Sequence, residues 1–130
     1  MPGWGAGSFE NEDAQKFLAQ LNAWSVDDLS HILAQAAEQD YVEAPESGVV
    51  IAAAEIVASA KGAPPQTLPT QIAEWIGKIE GAPSAKMVEL ARSAVNKVRL
   101  SSELKDLWLE AEGLNEWSAA LRDLEKRLGG

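Results

Sequence analysis

Apolar residues recur along most of this chain at helical intervals, and in one stretch they crowd polar residues out almost entirely. Ala14, Phe17, Leu18 and Leu21 have the i, i+3, i+4, i+7 spacing of one helical face. They predict a first helix, capped by Asn11 or Asp13. Ser25 followed three residues on by Asp28 makes a capping-box-like pair, with Trp24 and Leu29 at the two staple positions. The second helix that opens there carries an apolar stripe of Val26, Leu29, Leu33, Ala36 and Ala37. From Val49 to Ala60 only Glu55 and Ser59 are polar, so a helix there has no face left to meet water. Such a segment belongs in the middle of a bundle. Its alanines favour helix and let neighbouring helices approach closely.

Punctuation supports the same division. Pro45 and Glu46 suit the first turn of this third helix, and Lys61-Gly62 suits its end, with Gly62 at C′. Ala63-Pro64-Pro65-Gln66 reads as a stiff connector. A fourth helix is expected from about Pro69, burying Ile72, Trp75, Ile76 and Ile79 until Gly81-Ala82-Pro83 breaks it. A fifth, roughly Ser84 to Arg99, turns Val88, Ala91, Val95 and Val98 inward. Ser101 or Ser102 caps a sixth that buries Leu104, Leu107, Trp108 and Ala111. Gly113 ends or bends it, and Asn115 is the expected cap of a last helix with Trp117, Leu121, Leu124 and Leu128 inside. The expected fold class is all-α: one domain, a bundle of six or seven short helices around a buried alanine-rich third helix. Residues 1–12 read as an ordered N-terminal loop. Trp4 and Phe9 are too apolar to leave in water, and Gly3, Gly5 and Gly7 permit close backbone approach.

Composition narrows the chemistry. With no cysteine, disulfides, thiolate catalysis and cysteine-ligated metal sites are excluded. Met1-Pro2-Gly3-Trp4-Gly5 has neither the basic nor the apolar region of a signal peptide. The longest apolar run falls short of the roughly 20 residues a membrane span takes. A soluble, cytoplasmic protein is expected. The net charge of −9 is uneven: residues 1 to 60 hold ten acids and one base, Lys16, whereas residues 61 to 130 hold ten of each. That field repels phosphate backbones and anionic membrane surfaces, so neither nucleic acid nor membrane is an expected partner. It allows a basic protein partner or a bound cation, and solubility alone would also account for it.

Trp4-Gly5-Ala6-Gly7-Ser8-Phe9-Glu10-Asn11-Glu12-Asp13-Ala14 resembles the opening of a bacterial family, domain of unknown function 4259, whose members typically begin M-G-x-W-G-x-G-x-F-x-N-D-x-A. Here a proline follows Met1, and Glu12 stands where that pattern has Asp. Glu43-Ala44-Pro45 followed by Ala52-Ala53-Ala54-Glu55 is a second point of likeness, and Leu68-Pro69 with Trp75 a third. The resemblance implies a bacterial origin and a helical domain. It implies no activity and no cofactor.

Glu55 is the most informative single residue, because a buried carboxylate without a partner costs several kcal/mol. Gly48, Ala52, Glu55 and Ser59 share one stripe of small or polar residues on a helix. The structural reading lays the glycine-rich N-terminal loop along that stripe, with backbone N–H groups, the Trp4 indole or the Asn11 amide reaching the carboxylate. Arg92 or Arg99 is the other candidate partner. The functional reading makes Glu55 a general base or metal ligand. Glu43-x-x-Glu46 and Glu103-x-x-Asp106 have the spacing of the acidic pairs that hold magnesium in all-helical nucleotide pyrophosphohydrolases. Pro45 makes the first pair straddle a helix start, however, so solvated charge is favoured for both. His31 is the lone histidine and reads as a helix-flank residue. No G-x-S-x-G, H-E-x-x-H or G-x-x-x-x-G-K is present. The favoured function is a non-catalytic interaction module, its acidic N-terminal half facing a basic protein partner in an inhibitor or immunity-like role. The alternative is a metal-dependent hydrolase of nucleotides or another small substrate using Glu43, Glu46 and Glu55. A third possibility is a groove for a peptide or small apolar ligand. Candidate binding or motif residues are Trp4, Gly5, Gly7, Phe9, Asn11, Glu43, Glu46 and Glu55.

Overall fold

A computed structural model describes residues 12–63, 69–78 and 82–129, which wind into seven α-helices. These are α1 (Glu12–Ala19), α2 (Val26–Glu38), α3 (Ala44–Ala60), α4 (Thr70–Lys78), α5 (Ala85–Leu100), α6 (Glu103–Glu110) and α7 (Leu114–Gly129), with a 3-10 turn at Leu21–Ala23. The alanine-rich segment is α3, and each of the other six helices packs against it. Ser47, Gly48 and every residue from Val50 to Ala58 are buried, so the helix shows water no continuous face. Small side chains make this possible. Ala52, Ala53 and Ala54 are fully buried and leave room for helices on all sides. α5 forms the second layer, lying against α2, α3 and α7.

Local chemistry sets the helix ends. Ser25 accepts the Asp28 N–H while the Asp28 carboxylate accepts the Ser25 N–H at 2.8 Å, completing the capping box that opens α2. Pro45 lies in the first turn of α3, where its missing N–H is harmless. Gly62, with φ at 100°, ends that helix in a Schellman arrangement: Gly62 N–H reaches Ser59 O at 3.1 Å and Ala63 N–H reaches Ala58 O at 2.9 Å. Ser84 and Ser102 cap α5 and α6. Trp75, Trp108 and Trp117 are buried as their spacing predicts, and the Trp75 indole donates to Trp24 O at 3.0 Å.

Some boundaries and faces differ from expectation. α1 begins at Glu12, so Asp13 is inside the helix and does not cap it. Leu21 is buried from the 3-10 turn, not from α1. Val26, the first residue of α2, is 37% exposed. Ala37, Ile76, Val88, Leu107 and Ala111 are half-buried, at the margins of their stripes. Asn115 is within α7 and not its cap. The reason lies at the α6–α7 corner, where α6 closes in a second Schellman arrangement with Glu112, not glycine, at positive φ (61°). There the Gly113 N–H reaches Trp108 O at 3.0 Å and the Glu112 N–H reaches Leu109 O at 3.2 Å. Gly113 is needed for space: a Cβ on it would lie 2.6 Å from the ring of the buried Trp108. The opening loop expected over Met1–Glu12 lies outside the described residues apart from Glu12, as do the connector residues Pro64, Pro65 and Gln66 and the side chain of Ile79.

These two adjacent residues have opposite requirements. Glu112→Gly relieves a left-handed conformation and should raise stability by about 0.5 kcal/mol after the entropy glycine adds to the unfolded chain. Gly113→Ala should lower it by roughly 1–3 kcal/mol through overpacking against Trp108. Denaturant unfolding of both variants checks the pair. Equal effects of the same sign would contradict this account of the corner.

Candidate functional site

Glu55 is 3% exposed in the second half of α3, and among the described residues Arg127, from the last turn of α7, reaches it. Arg127, in the last turn of α7, meets it in a bidentate pair with Nη1 to Oε1 at 2.6 Å and Nη2 to Oε2 at 3.0 Å. The same guanidinium donates to Ala63 O at 3.3 Å, and its Nε donates to the Asp123 carboxylate at 2.9 Å. Hydrogen bonding to Glu55, then the attraction of the two carboxylates, raises the Arg127 pKa above its ordinary value against the opposing effect of burial. The tie is reciprocal. Lys61, at the end of α3, donates through Nζ to Arg127 O at 3.0 Å and Leu128 O at 2.9 Å, satisfying terminal carbonyls of α7. Each helix thus caps or neutralises the other.

Arg92 and Arg99, the arginines expected near Glu55, are engaged elsewhere. Arg92 pairs with Glu89 at 2.6 Å, one turn back along α5. Arg99 pairs with Glu125 at 2.6 Å, and Asn96 donates to the same carboxylate at 3.1 Å. Both face α7 or solvent because the inner face of α5 is taken by Ala91, Ala94, Val95 and Val98. Trp4, Gly5, Gly7, Phe9 and Asn11 lie outside the described residues, and the clamp expected of them with them. A one-turn neighbour of Glu55, Ser59, has its Oγ buried with no hydrogen-bond partner among the described residues.

The other acidic candidates meet at a different corner, where the link between α2 and α3 crosses the turn between α5 and α6. Val42 and Ser102 form a single parallel β-bridge, with Val42 N–H to Ser101 O at 3.1 Å and Glu103 N–H to Val42 O at 2.8 Å. Ser101 Oγ donates to Asp40 O at 2.8 Å. The Glu103 carboxylate accepts the Ala44 N–H at 2.8 Å, capping α3 from another helix, and Asp106 accepts the Tyr41 hydroxyl at 2.7 Å. Glu46 accepts from Gln39 Nε2 at 2.9 Å. Glu103 and Asp106 are exposed, as expected, yet each fixes a neighbouring segment. Glu43 stands at the N-cap position with no side-chain cap bond.

Glu43, Glu46 and Glu55 do not converge. On one helix, Glu43 and Glu55 are separated by about 18 Å along the axis and Glu46 and Glu55 by about 14 Å. Among the described residues no group of three or more His, Asp or Glu could hold a metal ion. His31 is exposed on α2, and the buried Ser47 and Ser102 hydroxyls donate to carbonyls one turn back. No described helix is long and apolar enough to cross a membrane.

Fold and site together define an all-α domain organised on one buried helix, with an acidic corner held by backbone bonds at that helix's start and a part-buried ion pair further along it. A family model described as domain of unknown function (DUF4259) matches residues 3–120, and the chain belongs to that family. No curated protein and no solved structure matches it. Arg127 and the carbonyls that receive Lys61 lie beyond the matched residues.

Tyr41 is the single tyrosine of the chain, and its hydroxyl donates to an anion. Hydrogen bonding to Asp106 comes first among the causes that push its pKa from 10.0 to about 12, followed by desolvation and the charges of Asp106 and Glu103. The protonated phenol is favoured in the folded state, so its contribution is whole below pH 10.0 and is lost as pH rises from there to about 12. A phenolate absorbance titration should show the raised value in the parent protein and a return toward 10.0 in Asp106→Ala. Ionisation at the ordinary value in the parent would show that the contact does not form.

Proposed function

We propose that the chain is a non-catalytic interaction module whose acidic corner receives a basic protein partner, in the manner of an inhibitor or immunity-type protein. One observation carries the reading: a half-exposed tyrosine sits among carboxylates on a surface fixed by backbone hydrogen bonds. Segments 38–46 and 100–106, which form the corner, hold six acids, Glu38, Asp40, Glu43, Glu46, Glu103 and Asp106, against one base, Lys105. The Lys105 ammonium is drawn onto Leu100 O at 3.3 Å. Tyr41 is 49% exposed. An amphipathic ring with few rotamers is the kind of anchor on which interfaces concentrate their energy. The surrounding charges steer a basic surface and fix its orientation, with strength that falls as salt rises. Because the β-bridge and the Ser101 contact hold the segment, little ordering is left for binding to do.

Charge reversal tests this directly. The parent protein and an Asp40→Lys, Glu43→Lys variant are used as baits in an extract of the source organism at low and high salt. The parent should retain a basic protein that high salt releases, and the variant should bind that protein at least tenfold more weakly. Retention of no protein by the parent, or equal retention by both baits, would contradict the reading.

A further inference from the structure

Between the start of α2, the second half of α3, α4 and the start of α5 lies an apolar pocket of about 170 Å³. Leu29, Ile56 and Val57, all buried, make its floor, with Trp75 and Met87 as walls. Val26 and Ser84 stand at the rim, both exposed. We infer that this pocket is a binding site for a small uncharged aromatic molecule, of benzene to indole size. The inference is independent of the acidic corner, which draws on none of these side chains.

Volume and chemistry point to the same class of ligand. An apolar cavity of about 150 Å³ engineered into another protein stays dry and takes up benzene. Of the lining side chains only Trp75 and Ser84 carry a nitrogen or oxygen; the one Trp75 N–H is spent, and Ser84 stands at the exposed rim. The Trp75 indole donates to Trp24 O at 3.0 Å, and Ser84 Oγ accepts the Met87 N–H at 3.1 Å. Water on the pocket floor would therefore find no free side-chain partner. A charged group would be desolvated without compensation. The indole bond also fixes the Trp75 ring, so an incoming aromatic ring meets a preset partner, with the Met87 thioether as a second favourable contact. Val26 is the residue whose apolar position and 37% exposure disagree, and its place at the rim gives that exposed surface a use.

Benzene, indole and benzoate are titrated into the full chain and followed by backbone amide NMR shifts. Benzene and indole should give saturable shifts centred on residues 26–29, 56–60, 75 and 84–87, and benzoate should give none. Ala60→Leu, which fills the pocket from α3, should weaken indole binding at least tenfold. If that variant does not fold, Val26→Phe blocks the pocket from the exposed rim with the same expected loss. No saturable shift with either neutral ring would overturn the assignment. So would binding that survives the block, or benzoate binding as well as benzene.

Discussion

A helix with no wet face commits the whole chain. α3 can be buried only if every other helix lies against it, and the one buried carboxylate it carries, Glu55, must then be met inside. Glu55 is met by Arg127 from the last turn of α7, so the centre of the domain is not electrostatically complete until its final helix has docked. Desolvating the two charges costs several kcal/mol each, which a bidentate geometry with further acceptors on the guanidinium can offset. Ala63 O and Asp123 supply those acceptors, and Lys61 returns the tie to the terminal carbonyls of α7. The result is a register device: a one-turn slip of α7 along α3 would break the bonds of Arg127 to Glu55 and Ala63 O and those of Lys61 to α7 at once.

The exposed corner rests on the same frame by a different means. Its bonds are mainly to backbone, from the Val42–Ser102 bridge, Ser101 Oγ and the Glu103 carboxylate. Carboxylates used in this way hold their loop in place while their charge remains at the surface. The proposed recognition of a basic partner draws on that combination, whereas metal-ion chemistry needs several carboxylates turned toward one point.

Much of this was legible in the chain. The helix order, the burial of α3, the Ser25–Asp28 capping box, the Gly62 terminus and the buried Trp75, Trp108 and Trp117 follow from local patterns, because caps and stripes are written within one or two turns. Glu55 could be recognised as needing a partner for the same local reason. That Arg127 is one of its partners could not be read, since it lies 72 residues away. Arg127 directly precedes Leu128 on the inner stripe of α7, and that position was the one available sign that its arm could turn inward. The α6–α7 corner misled for a related reason: Gly113 has the residue type of a positive-φ cap but is glycine to clear the Trp108 ring. Tyr41 gave no local signal, since Asp106 reaches it from 65 residues away.

The most direct test of the central claim is a double-mutant cycle on Glu55 and Arg127 read by denaturant unfolding. Arg127→Met alone leaves the carboxylate buried without its guanidinium and should cost about 3 kcal/mol. Glu55→Leu with Arg127→Met removes both charges and should recover most of that loss. An Arg127→Met protein within about 0.5 kcal/mol of the parent would fall in the range of an ordinary surface change. That result would contradict the account, because the last helix would then not be what neutralises the centre of the fold.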